Sequence, residues 1–359
     1  MTDAVLRDLQ ERVRVAAVTK APLRIRGSGS KDFYGAALAG DVLDTTGYAG
    51  VVEYEPAELV ITARAGTPLA DVERLLDDAG QMLAFEPPHF GPQATLGGAV
   101  ATGLSGPRRP YAGAVRDLVL GVRIVDGAGD DLRFGGRVMK NVAGFDVPRL
   151  MTGALGTLGV LTEISLKCLP RPRAQATRAY ECSADEAIRR VNEWGGQPLP
   201  LSATCFHHCR LAVRFSGAAT AIAAATARLG GETVRDDDPF WRGVREQTHP
   251  FFEQARDVLA PLWRLSVKST APYTDLGGDQ LIEWGGALRW LAAGERTDAA
   301  RVRAWAAGCG GHATLFRAGD KSPGVFHPLA PAVATLHRRL KSTFDPHHIL
   351  NPGRMYAEF

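Results

Sequence analysis

A glycine-serine loop near the N-terminus has the composition of a phosphate site. Residues 22–26 (PLRIR) predict a short strand, and residues 27–30 (GSGS) follow it directly. Backbone N–H groups that no side chain obstructs, helped by serine hydroxyls, can bind a pyrophosphate. The loop is a poor Rossmann fingerprint, because Asp32 stands where the third glycine would be, and no Gly-Lys-Ser/Thr closes it as a Walker loop. It is therefore either a plain turn or a phosphate site of another fold.

A run of small residues at positions 92–103 (PQATLGGAVATG) has room for a flat or charged group. Small side chains let a ligand lie against the backbone, and the hydroxyls of Thr95 and Thr102 can add hydrogen bonds. The alternative is a close-packed loop between helices. The length of the run and its interleaved hydroxyls favour a binding site.

Three further stretches combine glycines with isolated charges. They are residues 111–121 (YAGAVRDLVLG), residues 140–146 (KNVAGFD) followed by 153–160 (GALGTLGV), and an ending with Asp-Pro at 345–346 and Asn-Pro-Gly-Arg at 351–354. Taken singly, each has an ordinary alternative, namely surface charges, turns or a polar tail.

Basic side chains between residues 263 and 317 could hold an anionic substrate. Residues 263–270 (WRLSVKST) predict a strand on which Arg264, Ser266 and Lys268 share one face. Arginine binds a carboxylate through two parallel hydrogen bonds, and a neutral histidine can take a hydroxyl proton. A solvated surface charge is the alternative for each. The candidates are Arg264, Lys268, Arg289, His312 and Arg317.

The five cysteines indicate reduced thiols, because the number is odd, the chain is long and no secretory signal is visible. Residues 205–209 (CFHHC) contain metal-ligand types, but they fall on a predicted strand and no second cluster with zinc spacing accompanies them. We therefore predict a buried strand there and no metal. No Cys-x-x-Cys-x-x-Cys run exists, so no iron–sulfur cluster is predicted in this chain.

Length and charge limit the classes of protein. A chain of 359 residues can form two domains with separate cores, and a net charge of +3 gives no argument for a nucleic-acid partner. No apolar run approaches the roughly 18 residues that a transmembrane helix needs. Residues 1–20 predict an amphipathic helix with Val5, Leu6, Leu9 and Val13 on one face. We expect a cytoplasmic protein, peripheral to the inner membrane only through partners.

The elements that must position these loops are strands and helices of ordinary length. One helix is predicted after Thr67 as its cap and Pro68 as its first residue, with Gly80 as its stop. Predicted strands are residues 22–26, two pieces within 51–65, 119–125 with its return at 132–134, 158–167, 203–206 and 210–215; further predicted helices are 149–155, 184–194, 218–229 and 331–344.

In this order and spacing, the glycine-rich stretches resemble the FAD-binding pattern of the vanillyl-alcohol-oxidase (PCMH-type) family, which includes D-lactate dehydrogenases and glycolate oxidase. The resemblance covers residues 20–170 and 340–356, about half of the chain. Residues 316–317 (FR), 324–328 (GVFHP) and 351–356 (NPGRMY) are similar in particular to the FAD-binding subunits of bacterial glycolate oxidases.

The resemblance implies an α+β fold: a two-lobed PCMH-type FAD-binding domain over residues 1–172, completed by 336–359, and a smaller α+β cap domain over 173–335. Residues 27–30 would hold the pyrophosphate, 95–102 would follow the flavin and ribityl chain, 156–160 would border the adenine, and Asn351 would lie near the isoalloxazine. The implied FAD contacts are Arg26, Gly27, Ser28, Gly29, Ser30, Pro92, Thr95, Leu96, Gly97, Gly98, Ala101, Thr102, Arg116, Asp117, Lys140, Asn141, Gly144, Asp146, Gly156, Gly159, Val160 and Asn351.

Two departures from the family pattern change what is expected. Many relatives carry a histidine in the first glycine loop that bonds covalently to the flavin, whereas this loop is Gly-Ser-Gly-Ser-Lys, so we expect non-covalent FAD. The larger catalytic relatives carry a His-x-Gly-Asp-Gly-Asn run that helps to hold a metal and the substrate hydroxyl. The nearest stretch here, residues 311–314 (GHAT), lacks the acidic partner.

The resemblance implies an FAD-dependent oxidoreductase acting on a small 2-hydroxy acid, glycolate or D-lactate, as one subunit of a complex. The implied partners are a larger flavoprotein subunit and an iron–sulfur subunit. This chain would pass hydride to its own flavin or support the larger subunit. Two alternatives stay open: a stand-alone FAD enzyme for another hydroxylated substrate, and a non-catalytic FAD-binding scaffold.

Overall fold

The computed structural model describes residues 2–136 and 145–359 and divides the chain into two compact units. Unit 1 contains residues 1–104, 114–171 and 328–359, and unit 2 contains residues 105–113 and 172–327. The contacts therefore assign residues 105–113 to unit 2, which the sequence interpretation had placed in the first domain. The predicted domain bounds of 1–172 with 336–359, and of 173–335, stay a proposal.

Helices of four to eighteen residues alternate with the strands. In the described residues they are α1 (Thr2–Thr19), α2 (Leu69–Asp78), α3 (Leu96–Thr102), α4 (Arg109–Ala112), α5 (Val115–Leu118), α6 (Val147–Met151), α7 (Ala184–Gly195), α8 (Ala219–Leu229), α9 (Asp238–Glu246), α10 (Pro250–Asp257), α11 (Ala299–Gly308) and α12 (Pro331–Phe344).

The strands form four separate sheets across the described residues. They are β1 (Leu23–Arg26), β2 (Asp41–Asp44), β3 (Val51–Glu55), β4 (Val60–Arg64), β5 (Gln81–Met82), β6 (Val119–Val125), β7 (Asp131–Gly135), β8 (Val160–Lys167), β9 (Leu169–Pro170), β10 (Ala174–Glu181), β11 (Leu201–His207), β12 (Arg210–Gly217), β13 (Glu232–Val234), β14 (Leu262–Ser266), β15 (Gly278–Glu283), β16 (Leu288–Ala293) and β17 (His312–Arg317).

Unit 1 is built on a five-stranded antiparallel sheet in the order β3-β4-β8-β6-β7, with the short parallel pair β1-β2 and the antiparallel pair β5-β9 beside it. The apolar face of α1 (Leu6, Leu9 and Val13) packs in one core cluster with residues of β2, β6 and β8 and with Ile349 and Leu350. Burial of each such side chain stabilises the fold by about 1.5–3 kcal/mol. The C-terminal segment is thus fixed beside β1, where Leu23 pairs with Leu350.

Unit 2 is built on one antiparallel sheet in the order β13-β10-β12-β11-β15-β16-β14-β17. One face of the sheet packs against α7, α8 and α11 in two apolar clusters. The other face carries an aromatic chain in which Phe252 of α10 contacts Trp290, and Trp290 contacts Phe316. Alternation along the strands therefore places polar side chains of β14 and β17 on the face that bears these aromatic rings.

Most of the long predicted elements are confirmed, including α1, the β6-β7 hairpin, α7, α8 and the end of α12 at Phe344. Three local predictions were wrong. The helix predicted at residues 149–155 is α6 at Val147–Met151, because Asp146 caps its start and Thr152 already has extended backbone. Pro68, not Thr67, precedes the first residue of α2, because the Thr67 hydroxyl accepts a hydrogen bond from Gly50 N instead. β14 ends at Ser266, so Lys268 lies beyond the strand.

Within the described residues, we find no helix that combines the length and the apolar character needed to span a bilayer.

Candidate functional site

The glycine-serine loop after β1 is held by a charged cluster. Arg24 and Arg26 both donate to Asp32 Oδ2, at 2.6 and 2.9 Å. The guanidinium of Arg26 lies where a side chain at Gly29 would stand, and Gly29 has a φ of 82°. Glycine is needed here for both reasons. Asp32, which excluded a Rossmann loop, thus orients the two arginines beside the loop.

The run of small residues forms the seven-residue helix α3. Thr95 caps it, with Oγ1 accepting from Gly98 N at 3.2 Å. A β-carbon at Gly97 would stand 2.7 Å from the Ala65 side chain, whereas one at Gly98 would meet only the Thr95 hydroxyl. Gly97 therefore allows close packing against the end of β4, and Gly98 keeps space open in front of the helix.

The loop, α3 and two later segments line one cleft in unit 1. The cleft encloses about 770 Å³ of space that no protein atom fills, a figure that includes open solvent. The structure brings thirteen of the predicted FAD contacts together here: Arg26, Gly27, Ser28, Gly29, Ser30, Thr95, Gly97, Gly98, Ala101, Thr102, Gly156, Gly159 and Asn351.

Cations that the sequence interpretation did not assign to FAD also line this cleft. Lys31 is buried, and its Nζ donates to His89 O at 3.0 Å. Arg354 donates from Nη2 to Asp32 O at 2.9 Å and to Tyr34 O. Burial lowers the pKa of Arg354 to about 10, so it stays charged at neutral pH. With Arg26, these groups make the cleft favourable for a pyrophosphate.

The Asp-Pro and Asn-Pro-Gly ending clamps the walls of the cleft. Asn351 donates to Leu155 O at 2.6 Å and accepts from Ile25 N at 2.8 Å, so both ends of its amide bind backbone. Asp345, fully buried, accepts from the N–H groups of residues 349 and 350 and pairs with Lys341 at 2.6 Å. Removing one partner of such a buried pair costs about 3–5 kcal/mol. The motif therefore holds the cleft walls in register.

Several predicted contacts lie outside this lining. Asp117 accepts from Ala114 N at 3.0 Å, and Arg149 pairs with both Asp117 and Asp146, at 3.8 and 3.1 Å. The side chains of Leu96 and Val160 are fully buried, so they serve packing. Contacts of FAD with these residues stay predictions. The same holds for Pro92 and Arg116, which also do not line the cleft. The remaining predicted contacts, Lys140, Asn141 and Gly144, lie outside the described residues.

A cationic cluster in unit 2 contains two of the predicted substrate residues. On adjacent strands Arg264 lies opposite Thr314 and Ser266 opposite His312, so Arg264 and His312 share one face. The Arg264 guanidinium lies 5.0 Å from the ring centroid of Trp284, and that of Arg109 lies 4.3 Å from it. Trp284 is fixed by its Nε1 donating to Gly106 O at 3.0 Å. This cluster can attract a carboxylate.

The charges of this cluster act on His312. The pKa of His312 is lowered from the usual 6.5. The main cause is that the surrounding protein removes water from the imidazole, although part of the residue is exposed. The nearby groups Arg264, His327 and Arg109 lower the pKa further. His312 is therefore neutral at neutral pH and can accept a proton.

The other three predicted substrate residues lie elsewhere. Lys268 is exposed beyond β14, and Arg317, at the far end of β17 from His312, donates to Gln247 Oε1 at 3.0 Å. Arg289 was expected as a substrate anchor, but it is a buried residue that donates to Gly286 O and Ala271 O, each at 2.8 Å. These two hydrogen bonds fix the backbone near Trp284, and a role of Arg289 as a substrate anchor stays a prediction. Arg109 was missed because its partner Trp284 is far away in sequence and no local pattern connects them.

Removing the positive charge of Arg264 should raise the pKa of His312. We expect the wild-type His312 imidazole to titrate below 6.5 by NMR, and the Arg264→Gln and Arg109→Gln variants to titrate at higher pH, because each loses a nearby cation. Arg317→Gln, at the other end of β17, is the matched control and should leave the titration unchanged. A pKa of 6.5 or above for His312 in the wild type, or an unchanged His312 pKa in both variants, would show that Arg264 and Arg109 do not act on His312.

Comparison with known proteins finds FAD-binding relatives for most of the segments that form the cleft in unit 1. Residues 6–135 match the FAD binding domain family, and residues 321–355 match the C-terminal domain of FAD linked oxidases. The chain is 51% identical over 350 residues to glycolate oxidase subunit GlcE of Escherichia coli (strain K12), covering 98% of this chain and 97% of that one. It is 32% identical over 210 residues to glycolate oxidase subunit GlcD of Bacillus subtilis (strain 168), covering 54% of this chain and 43% of that one.

Solved structures show the same fold at low sequence identity. A 4-ethylphenol oxidase from Gulosibacter chungangensis superposes with a TM-score of 0.69 at 15% identity, covering 98% of this chain and 88% of that one. An alkyldihydroxyacetonephosphate synthase gives 0.64 at 16% identity, covering 96% and 75%. The predicted α+β fold of the PCMH type and FAD as the cofactor are thereby confirmed.

Proposed function

Since this chain belongs to the FAD-linked oxidoreductase family that includes the glycolate oxidase subunit of Escherichia coli, we propose that it is the FAD-binding subunit of a complex that oxidises glycolate or a similar 2-hydroxy acid. One observation carries the proposal: half of the residues are identical to that subunit along nearly the whole length of both chains.

The residues that line the cleft fit FAD, and each group of them would hold a different part of the cofactor. The N–H groups of residues 27–30, with Arg26, Lys31 and Arg354 nearby, would hold the pyrophosphate, and the open space before Gly98 would receive the flavin end. FAD supplies hydride acceptance when it is bound. The protein's part is to hold that group at fixed walls, which the Asn351 and Asp345 clamp keeps in place.

Unit 2 supplies groups for an anionic substrate. Arg264 and Arg109 would bind the carboxylate, and neutral His312 would take the proton of the 2-hydroxyl group. This arrangement favours a second candidate function, in which the chain itself oxidises the substrate without partners. The missing His-x-Gly-Asp-Gly-Asn run favours instead a chain that supports a larger catalytic subunit, and we retain the latter.

The proposed partners follow from the need to remove electrons. A flavin that accepts two electrons in each turnover must pass them on, and the sequence lacks the cysteine run of an iron–sulfur cluster. We therefore propose a larger flavoprotein subunit and an iron–sulfur subunit as partners. A stable interface between subunits typically buries on the order of 1,600 Å².

FAD should leave the protein entirely on denaturation. No histidine, cysteine or tyrosine is among the described residues that line the cleft, so no ordinary nucleophile for a covalent flavin link is present there. Precipitating the purified chain with acid should release all flavin absorbance to the supernatant, at about one FAD per chain. Yellow colour that stays with the precipitate would contradict a non-covalent link, and a purified folded chain that neither contains nor takes up FAD would contradict the proposed function.

A further inference from the structure

We propose that His207, His208 and Asp279 of unit 2 form a binding site for a divalent transition-metal ion of the zinc type. One potential ligand atom from each of the three side chains lies within 4.8 Å of the others. Two imidazole nitrogens and a carboxylate oxygen suit zinc and similar ions. The sequence predicts a buried strand and no metal at residues 205–209, because Asp279, the third ligand of the proposed site, is far from His207 and His208 along the chain.

Local backbone geometry brings the two imidazoles together. The loop between β11 and β12 consists of His208 and Cys209, with φ values of 45° and 61°. Two successive residues with positive φ are the mark of the tight hairpin turn that matches strand twist. In it the rings of His207 and His208 stack with their centroids 3.8 Å apart and 22° between their planes. Cys209 is exposed, which corrects its predicted burial.

The carboxylate of Asp279 closes the group. His207 Nε2 lies 2.8 Å from Asp279 Oδ2, and His208 Nε2 lies 3.7 Å from Asp279 Oδ1. Ligand atoms around a tetrahedral zinc ion, each at about 2.0–2.1 Å, are separated by about 3.3 Å. The two nitrogen–oxygen distances lie on either side of this value, and all three ligand atoms lie within 4.8 Å of one another, so small side-chain movements would bring them around one ion, with water completing the shell.

The environment orients these ligands. The His207 side chain is 10% exposed and packs edge-on against His249 and Phe251, with ring centroids 5.6 and 5.3 Å away. His249 Nδ1 accepts from Phe251 N at 3.3 Å and caps α10. A ligand held by its neighbours loses less rotational freedom on binding a metal. The His208 side chain is 70% exposed, which leaves the site open to ions from solvent.

The position of the group in the sheet indicates what the metal would do. Among the described residues, β11 pairs with β15 only at Cys205↔Glu283 and Phe206↔Ile282, whereas β15 pairs with β16 along its whole length. The short β11-β15 ladder joins the strands β13-β10-β12-β11 to the strands β15-β16-β14-β17. The three ligands lie just beyond this ladder, so a bound ion would clip the two halves of the sheet together.

The test is zinc binding to the full-length, FAD-loaded protein after chelator treatment. Calorimetric titration with zinc chloride should show one site per chain in the wild type. His208→Ala and Asp279→Ala should each weaken binding by at least about tenfold, because even the loss of an outer-shell partner of a ligand costs about ten- to a hundredfold in metal affinity. Two matched controls should bind as the wild type: His348→Ala, in the exposed pair His347-His348, and Cys209→Ser, which removes the adjacent thiol.

A thermal readout tests the proposed clip. Zinc at a hundred times the wild-type Kd should raise the Tm of the wild type by roughly 3–4 °C, and the Tm of His208→Ala by about half as much or less. Absence of a saturable site in the wild type would overturn the proposal. So would equal affinity in the wild type, His208→Ala and Asp279→Ala, or loss of binding in Cys209→Ser, which would assign the ion to the thiol.

Discussion

Gly98→Val is expected to weaken FAD binding by about ten- to a hundredfold while the protein stays folded. Overfilling a packed site costs about 1–3 kcal/mol, and each 1.4 kcal/mol changes an affinity tenfold. A β-carbon at Gly98 would stand 3.2 Å from the Thr95 hydroxyl and within 4 Å of no other atom, so that hydroxyl must shift by a few tenths of an ångström, and we expect the fold to survive the change. Gly98 lines the cleft, so the added methyl groups would take space that we assign to FAD. Fluorescence titration of the apoprotein with FAD measures the effect.

Substitution of the neighbouring residue Gly97 should give a different result, because its surroundings are more tightly packed. A side chain at Gly97 would collide with Ala65, so Gly97→Val should destabilise unit 1 as well as lose FAD, and it cannot separate the two effects. Gly195→Val is the better control, because Gly195 is also helical and no atom lies within 4 Å of an added β-carbon. A folded Gly98→Val protein with wild-type FAD affinity would show that the cofactor lies elsewhere.

Much of the cleft could be predicted from sequence because its parts have local signatures. The strand and glycine loop at residues 23–30 and the Asn-Pro-Gly ending each carry residues with strong conformational preferences. Their assembly into one cleft follows from contacts such as Leu23 with Leu350. No local pattern encodes that pairing, and it was inferred only through the family resemblance.

Helix α3 could not be predicted from propensity. Each glycine inside a helix costs about 1 kcal/mol relative to alanine, so Gly97 and Gly98 argue against a helix. The structure compensates with the Thr95 cap and with close packing of Gly97 on Ala65. Tertiary contact thus overrides local preference at the place where the backbone must approach a ligand.

The residues of unit 2 proposed to bind substrate were the least predictable part. Strand alternation placed Arg264 and Ser266 on one face correctly. The strand end at Ser266, the burial of Arg289 and the stacking of Arg109 on Trp284 depend on partners distant in sequence. The role of a basic residue chosen from the sequence therefore cannot be judged until its neighbours across the sheet are known.

The isolated chain is expected to oxidise glycolate very slowly. It resembles one subunit of a glycolate oxidase along its whole length, and it lacks the acidic run that accompanies substrate binding in larger relatives. General acid–base groups contribute about 10²–10⁴-fold to a rate, so a chain without part of this machinery should be slower than the complex by at least about a hundredfold. Arg264 and His312 would then bind and orient substrate without completing the reaction.

Reconstitution tests the account most directly. Dye reduction with glycolate and with D-lactate would be measured for the isolated FAD-loaded chain, for the larger flavoprotein and iron–sulfur subunits without it, and for the mixture. We expect activity only in the mixture, a loss of that activity with Gly98→Val when FAD is limiting, and co-purification of this chain with its partners. An isolated chain, free of partners by mass spectrometry, that turns over glycolate as fast as the mixture would contradict the account and identify a stand-alone enzyme.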